Sequence, residues 1–247
     1  MRPGRTSATL LVLAALQAAG STVESAHYRL EGAAPWRVVK PVQAPGYRLS
    51  FTSPDGLAPD VRVEVDSRAL RDAPFPVDRR ALPPEARAAL DAARPPDLVA
   101  DRLARLLTVT SRGVLDAVKN VVNFTSRKIK YAAPSPDVEE TALSCRRLGR
   151  GSCVGRSLLA ADLLLRAGIP ARQVTGVLVA RRPEELTPET RALFNESLGG
   201  VRHRWIEAYV PGLGWVPSDP GGLANAVTAR HVALTAAPEP DFGVRTR

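Results

Sequence analysis

Residues 201–220, VRHRWIEAYVPGLGWVPSDP, restrict the fold more than any other stretch of this chain. Alternation places His203, Trp205, Glu207 and Tyr209 on one face of a strand, with Ile206, Ala208 and Val210 on the other. The PGLG step sends the chain straight back through WVPSDP, so the two runs are expected to pair as an antiparallel hairpin. With the turn centred on Gly212 and Leu213, Asp219 falls opposite a residue a little past Glu207. A stagger or bulge would bring it toward His203, a register that sequence alone leaves open.

The stretch GRGSCVGRSLLAADLLLRAGIPAR, residues 149–172, reads as a helix. Val154, Leu158, Ala161 and Leu165 recur at helical steps, Gly151 and Ser152 open the element, and Gly168 with Pro170 closes it. Cys153 therefore stands at a helix N-terminus. Unpaired backbone N–H groups and the positive end of the dipole there favour the thiolate, the nucleophilic form of cysteine. Four roles are open to it: a core thiol, half of a disulfide, a metal ligand or a nucleophile. Zinc needs more ligands at close spacing than Cys145, Cys153 and one histidine supply, so no metal or other cofactor is expected. A disulfide to Cys145 suits an oxidising compartment and would block the nucleophile, and that pairing stays open.

A nucleophilic thiol needs a base. His27 lies beside the N-terminal leader and His231 near the C-terminus in TARHVALT, which leaves His203 as the candidate. Asp219, one strand over, is placed to fix its tautomer and support its charged form.

The first twenty residues join Arg2 and Arg5 to an apolar run from Ala8 to Leu16 and a small-residue step, the pattern of a cleaved secretory signal. The run is short of the roughly 20 residues that span a bilayer, which disfavours an uncleaved anchor. A periplasmic or secreted protein is expected. Removing residues 1–20 takes away two arginines and no acid, so a formal charge of +9 falls by two and the chain stays basic. Electrostatic association with anionic envelope polymers or headgroups is the corresponding expectation. An aromatic content of 5% supplies base-stacking poorly, and no nucleic-acid partner is expected.

Between the leader and Pro96 the chain is rich in proline and carries two alternating runs, YRLSF and VRVEV, which look like paired strands. A short helix is expected around PPEARAALDAA. From Leu98 onward helical spacing dominates, with Val114, Val118 and Val121 on one stripe. The expected organisation is a leader over 1–20, a strand-bearing extension over 21–97, the main domain over 98–235 and a tail over 236–247.

The blocks GSCVGRSLLAADLLLRAGIPARQVTG and HRWIEAYVPGLGWVPSDP, preceded by VKNVVNFTSRKIKYAAPSP, together resemble the transglutaminase-like superfamily, whose fold is related to papain. The resemblance implies an α+β core in which a cysteine-bearing helix packs on an antiparallel sheet. It implies Cys153 as nucleophile, His203 as general base and acid, and Asp219 as the orienting carboxylate. Ser152 and Val154 flank the cysteine where relatives often carry an acidic or aromatic residue. A helix-like insertion over 181–200 precedes the histidine strand and is a candidate lid. Tyr131, Ser152, Trp205 and Trp215 are candidates for lining the cleft, with packing as the competing role for the aromatic residues. The backbone N–H of Cys153 is the expected oxyanion donor. The expected activity is thiol-dependent hydrolysis of a peptide, protein or cell-envelope amide. Transglutaminase crosslinking and an inactive peptide-binding module remain as alternatives.

Overall fold

The structure is a computed structural model that describes residues 13–14, 23–29, 39, 41–51, 60–66, 68, 70–92, 94–134, 139–180, 182–196 and 199–235. Apart from residues 13–14 the leader, and all of the tail from 236, lie outside the described residues. No helix among the described residues is long and apolar enough to cross a membrane.

Five N-terminal strands form the first sheet: β1 (Leu13–Ala14), β2 (Val23–Arg29), β3 (Val42–Ala44), β4 (Tyr47–Phe51) and β5 (Asp60–Asp66). Their order is β1-β2-β5-β4-β3 and every pairing is antiparallel. The two alternating runs of the sequence do pair, with Leu49 opposite Val63; Tyr47, Leu49, Val61, Val63 and Val65 are buried and Phe51 partly so.

The helical part follows as α1 (Pro84–Asp91), α2 (Leu98–Thr108) and α3 (Val114–Lys128). Strand β6 (Lys130–Tyr131) then pairs in parallel with β7 (Arg150–Gly151) across α4 (Ala142–Leu148). Helix α5 (Cys153–Arg166) leads into β8 (Ala171–Val179), a short helix α6 (Pro188–Arg191), β9 (Gly200–Val210), β10 (Gly214–Ser218) and β11 (His231–Thr235). The second sheet runs β10-β9-β8-β11, antiparallel throughout.

This second sheet is the middle layer of three. On one face Ile206, Ala208 and Val210 pack with Val118 of α3 and Leu159, Leu163 and Leu164 of α5. On the other, Trp205, Val174 and Val232 pack with Tyr47, Leu49 and Val63 of the N-terminal sheet. The expected α+β architecture with a helix on an antiparallel sheet is present. The two faces of β9 explain its sequence, because apolar residues recur on both.

The buried face of α5 differs from the expected stripe. Of Val154, Leu158, Ala161 and Leu165 only Ala161 is fully buried, and Leu159, Ala160, Leu163 and Leu164 form the seam instead. The helix packs on the sheet and on α2, α3 and α4 as well, so apolar residues surround most of it and periodicity alone cannot pick the innermost row. Its end is as expected: Gly168 takes φ +81° and Ile169 N–H reaches back to Leu164 O at 2.9 Å.

Helix α3 is capped from a distance. Gly113 has no side chain to offer, and Asp72 Oδ1 accepts from Leu115 N at 2.8 Å. A Cβ on Gly113 would overlap that carboxylate. Leu70, Ala73, Phe75 and Val77 pack into the helical core beside it. Asp72→Ala is expected to lower stability by about 1–2 kcal/mol, the usual cost of losing an N-cap, with Asp72→Asn milder because it keeps an acceptor. Urea unfolding at neutral pH measures the difference.

Candidate active site

Cys153 is the first residue of α5, and the turn ahead of it is fixed on both sides. Ser152 caps the helix by accepting from Val154 N at 3.1 Å. Glu140 in turn accepts from Ser152 N at 2.6 Å and from the Ser152 hydroxyl. Gly151, paired with Tyr131, leaves room for Cys145, whose sulfur would lie 2.8 Å from a Cβ at that position. Both cysteines are free thiols. Burial, with Glu140 nearby, pushes the Cys145 thiol up to about 11, the inert direction for a cysteine.

His203 comes from β9 and brings three groups together. Its Nε2 lies 2.9 Å from Asp219 Oδ2. The imidazole is also hydrogen-bonded to Cys153, and with Nε2 engaged by the carboxylate that leaves Nδ1 for the sulfur. Trp205 stacks beside the ring with centroids 6.1 Å apart. Cys153 accepts a further hydrogen bond from the backbone N–H of Arg204.

The electrostatics follow from these contacts. Burial alone would raise the Cys153 thiol, but the hydrogen bond and charge of His203 and the Arg204 N–H outweigh it and hold the thiol below its ordinary value. Burial would likewise lower His203, yet Asp219 and Cys153 push it up to about 10. Asp219, despite burial, is held far below the usual carboxylate range by His203 and His231. Around neutral pH the arrangement therefore favours a thiolate–imidazolium pair over two neutral groups.

Asp219 does not reach His203 by simple continuation of the hairpin. Ser218 pairs with Ile206, so one further step would bring Asp219 level with Trp205, two residues short of His203. The strand ends instead in a tight turn, where Asp219 N donates to Leu223 O at 2.8 Å and Leu223 N returns to Asp219 O at 2.9 Å. Gly221 N donates to Oδ1 at 2.7 Å, which leaves Oδ2 for the imidazole. The glycines of DPGG make this turn possible.

Sequence reasoning passed over His231. The residue is 1% exposed at the start of β11, and its Nε2 lies 3.2 Å from the same Oδ2. Its Nδ1 meets Thr228 N at 3.1 Å, Thr228 Oγ1 at 3.0 Å and Thr228 O at 3.3 Å; accepting from the nearer backbone N–H puts the ring proton on Nε2, toward the carboxylate. Together His203, Asp219 and His231 place three possible ligand atoms within 4.8 Å. An ion there would need the Nε2 lone pair of His231 and a proton on Nδ1, which Thr228 O at 3.3 Å could accept only at the expense of the shorter bond from Thr228 N at 3.1 Å. The donor set fits hydrogen bonding rather than coordination. The one local signal was a histidine opening the alternating run HVALT, and nothing in that run says which sheet position it takes.

The candidate lining residues separate by burial. Ser152 and Trp205 are 0% and 1% exposed, which places them beneath the site as cap and support. Trp205 lies over β8 at Gly176, where a Cβ would come within 2.3 Å of its ring. Tyr131 is half-buried, with the Arg156 guanidinium 5.6 Å from its ring centroid. Trp215, also half-buried, carries Arg172 at 4.2 Å, and Arg172 binds the buried Glu207 at 2.8 Å. Between β8 and β9, residues 182–196 fold over a small cluster of Ala180, Leu186, Val201 and Phe194. His203 pairs with Gly176, three residues from that end of the hairpin.

Residues 101–220 match the family model of the transglutaminase-like superfamily. Among solved structures, a candidate cysteine protease from Cytophaga hutchinsonii aligns with a TM-score of 0.51 at 15% identity, over 90% of this chain and 74% of that one. The periplasmic domain of TgpA from Pseudomonas aeruginosa bound to ethylmercury gives 0.47 at 18% identity, over 85% and 74%. Red sea bream transglutaminase gives 0.38 at 12% identity, over 91% and 52%. No curated protein sequence matches the chain. The family match spans both the cysteine helix and the histidine–aspartate hairpin, so residues 101–220 form a transglutaminase-like domain.

Proposed function

We propose that this chain is an exported, cysteine-dependent acyl-transfer enzyme whose main reaction is hydrolysis of a peptide or amide bond. The observation that carries the reading is a histidine whose Nε2 lies 2.9 Å from Asp219 and whose hydrogen bond and charge act on a thiol at the first residue of α5. The Cys153 thiolate attacks the substrate carbonyl carbon and forms a C–S bond; as the C–N bond breaks, His203 gives its proton to the leaving amine. Neutral His203 then takes a proton from water, whose oxygen attacks the thioester. The C–S bond breaks, the acid leaves, and thiolate and imidazolium are restored. Asp219 orients the ring and offsets its charge throughout. The Cys153 N–H, at the open end of α5, is the donor for the developing oxyanion.

Hydrolysis is preferred to amine transfer because water is abundant and an enzyme must exclude it to favour an amine. The leader argues for a site of action outside the cytoplasm, and the net positive charge for substrates held in an anionic envelope. Of the candidates, half-buried Tyr131, paired with Gly151 just ahead of Cys153, is the side chain assigned to meet a substrate; Trp215, paired with Tyr209, lies six residues along β9 from His203.

The test is incubation of reduced protein with a panel of peptide amides and envelope-peptide fragments, with and without an added primary amine, read by mass spectrometry. Free acid as the main product is expected. A new amide would replace hydrolysis with transglutamination, and no turnover across the panel would replace the enzyme by a binding module.

A further inference from the structure

We propose that His231 is a positioning residue of this site, held by the N-terminal sheet so that its Nε2–H fixes Asp219 Oδ2 toward His203. The inference rests on the reading of Cys153 and His203 as nucleophile and base.

Asp219 Oδ2 faces two imidazoles at once, His203 Nε2 at 2.9 Å and His231 Nε2 at 3.2 Å, while Oδ1 takes the Gly221 N–H. A carboxylate held by donors on both oxygens cannot rotate about its Cβ–Cγ bond without losing one. With Gly221 on Oδ1, the other oxygen would be left to His203 alone, a ring that can turn about its own side-chain bonds and take the carboxylate with it. The His231 N–H is a second donor to that oxygen, from a ring set edge-on to His203 with centroids 5.4 Å apart.

His231 is itself over-determined. Thr228 N and Thr228 Oγ1 meet its Nδ1 at 3.1 and 3.0 Å, and Trp205, the residue stacked beside His203, presents its ring at right angles with centroids 5.3 Å apart. The strand that carries it is clamped by the N-terminal sheet. Tyr47 Oη donates to His231 O at 2.8 Å and accepts from Ala233 N at 3.3 Å. Tyr28 Oη donates to Ala229 O at 3.0 Å, and Glu24 accepts from Ala229 N at 3.3 Å. Burial raises the Tyr47 hydroxyl above its ordinary value, so it stays a neutral donor wherever the site can work. The titratable groups facing His231 and its turn are thus Asp219 and His203 from the middle sheet and its loop, and Tyr47, Tyr28 and Glu24 from the N-terminal sheet. This gives the N-terminal sheet a part in the chemistry: it holds the residue that holds the aspartate.

The readout is the pH profile of Cys153 alkylation by iodoacetamide, which needs no substrate. His231→Phe keeps a flat ring against Trp205 and removes the donor. Asp219 then releases His203, the thiolate loses part of its imidazolium support, and the acid limb moves up, lowering alkylation at pH 6 by about tenfold or more. His231→Gln, which returns an N–H donor, is expected to recover most of that loss. A merely structural role would change the folded fraction and leave the limb where it is. An unmoved limb in folded His231→Phe, or equal shifts in the Phe and Gln variants, overturns the proposal. Should His231→Phe not fold, histidine ¹⁵N shifts of the native protein decide: Nε2–H is expected for His231, and Nδ1–H overturns it. Turnover on the peptide panel enters none of these outcomes, so failure of this proposal and failure of the hydrolase reading are separable.

Discussion

Replacing His203 by alanine is expected to slow iodoacetamide labelling of reduced protein at pH 6 by about two orders of magnitude. The size follows from the thiol itself. A cysteine at its ordinary value is only ~0.3% ionised at pH 6, whereas charged His203 holds the Cys153 thiol below that value, so a far larger thiolate fraction is expected there. The imidazolium is the group whose pKa is raised, so its support is fully present at low pH and is lost as pH climbs through about 10. Native and His203→Ala protein should therefore differ most near pH 6 and converge as pH passes the ordinary thiol range, where an unassisted cysteine ionises without help. The label reports on one residue, since Cys145 is 2% exposed with its thiol pushed up to about 11. Cys153→Ala should remain unlabelled throughout. Equal rates at pH 6 for native and His203→Ala protein would mean that Cys153 is an ordinary thiol.

How much of this arrangement was legible beforehand depends on how far apart its partners lie. The cysteine helix announces itself locally: Ser152 caps it, Gly168 ends it, and both signals sit within the element they govern. The hairpin of β9 and β10 is equally local, and its alternation gives both faces. The position of Asp219 was legible only in part, because pairing counts carry it to the level of Trp205 and a five-residue turn supplies the remainder. His231 was not legible. Its place beside Asp219 comes from β11 adding to the far side of β8, a pairing between residues more than 50 apart that no local pattern encodes. The same holds for Asp72, which caps α3 across 43 residues. Tyr47 reads as a strand residue facing a core, which it is, Tyr28 lies in a strand outside the two alternating runs, and the hydrogen bonds of both hydroxyls depend on a sheet-on-sheet packing visible only in the fold.

Asp219→Asn is expected to lower turnover by about four orders of magnitude while leaving the fold and the two free thiols intact. The aspartate uses both oxygens as acceptors, Oδ1 for the Gly221 N–H and Oδ2 for two imidazoles. An asparagine has one acceptor oxygen. If its amide nitrogen takes the Oδ1 place it confronts the Gly221 N–H; if it takes the Oδ2 place it confronts the His231 N–H and forces His203 to offer a lone pair at Nε2. In that second arrangement the His203 proton moves to Nδ1, the atom facing Cys153, and a neutral ring protonated there cannot accept the thiol proton. In either case the negative charge that sustains the imidazolium is gone, so the thiolate should be lost near neutral pH and labelling at pH 6 should fall with turnover. Cys153→Ala removes the nucleophile and should abolish turnover altogether. Because the three side chains act as one unit, the two losses should not add, and Cys153→Ala with Asp219→Asn should be no worse than Cys153→Ala alone. The measurement is release of amine from the best peptide amide of the panel under reducing conditions, with the two thiols counted by mass after full alkylation of unfolded protein. An Asp219→Asn protein within tenfold of native turnover would remove the aspartate from the mechanism and leave the cysteine and histidine to act as a pair.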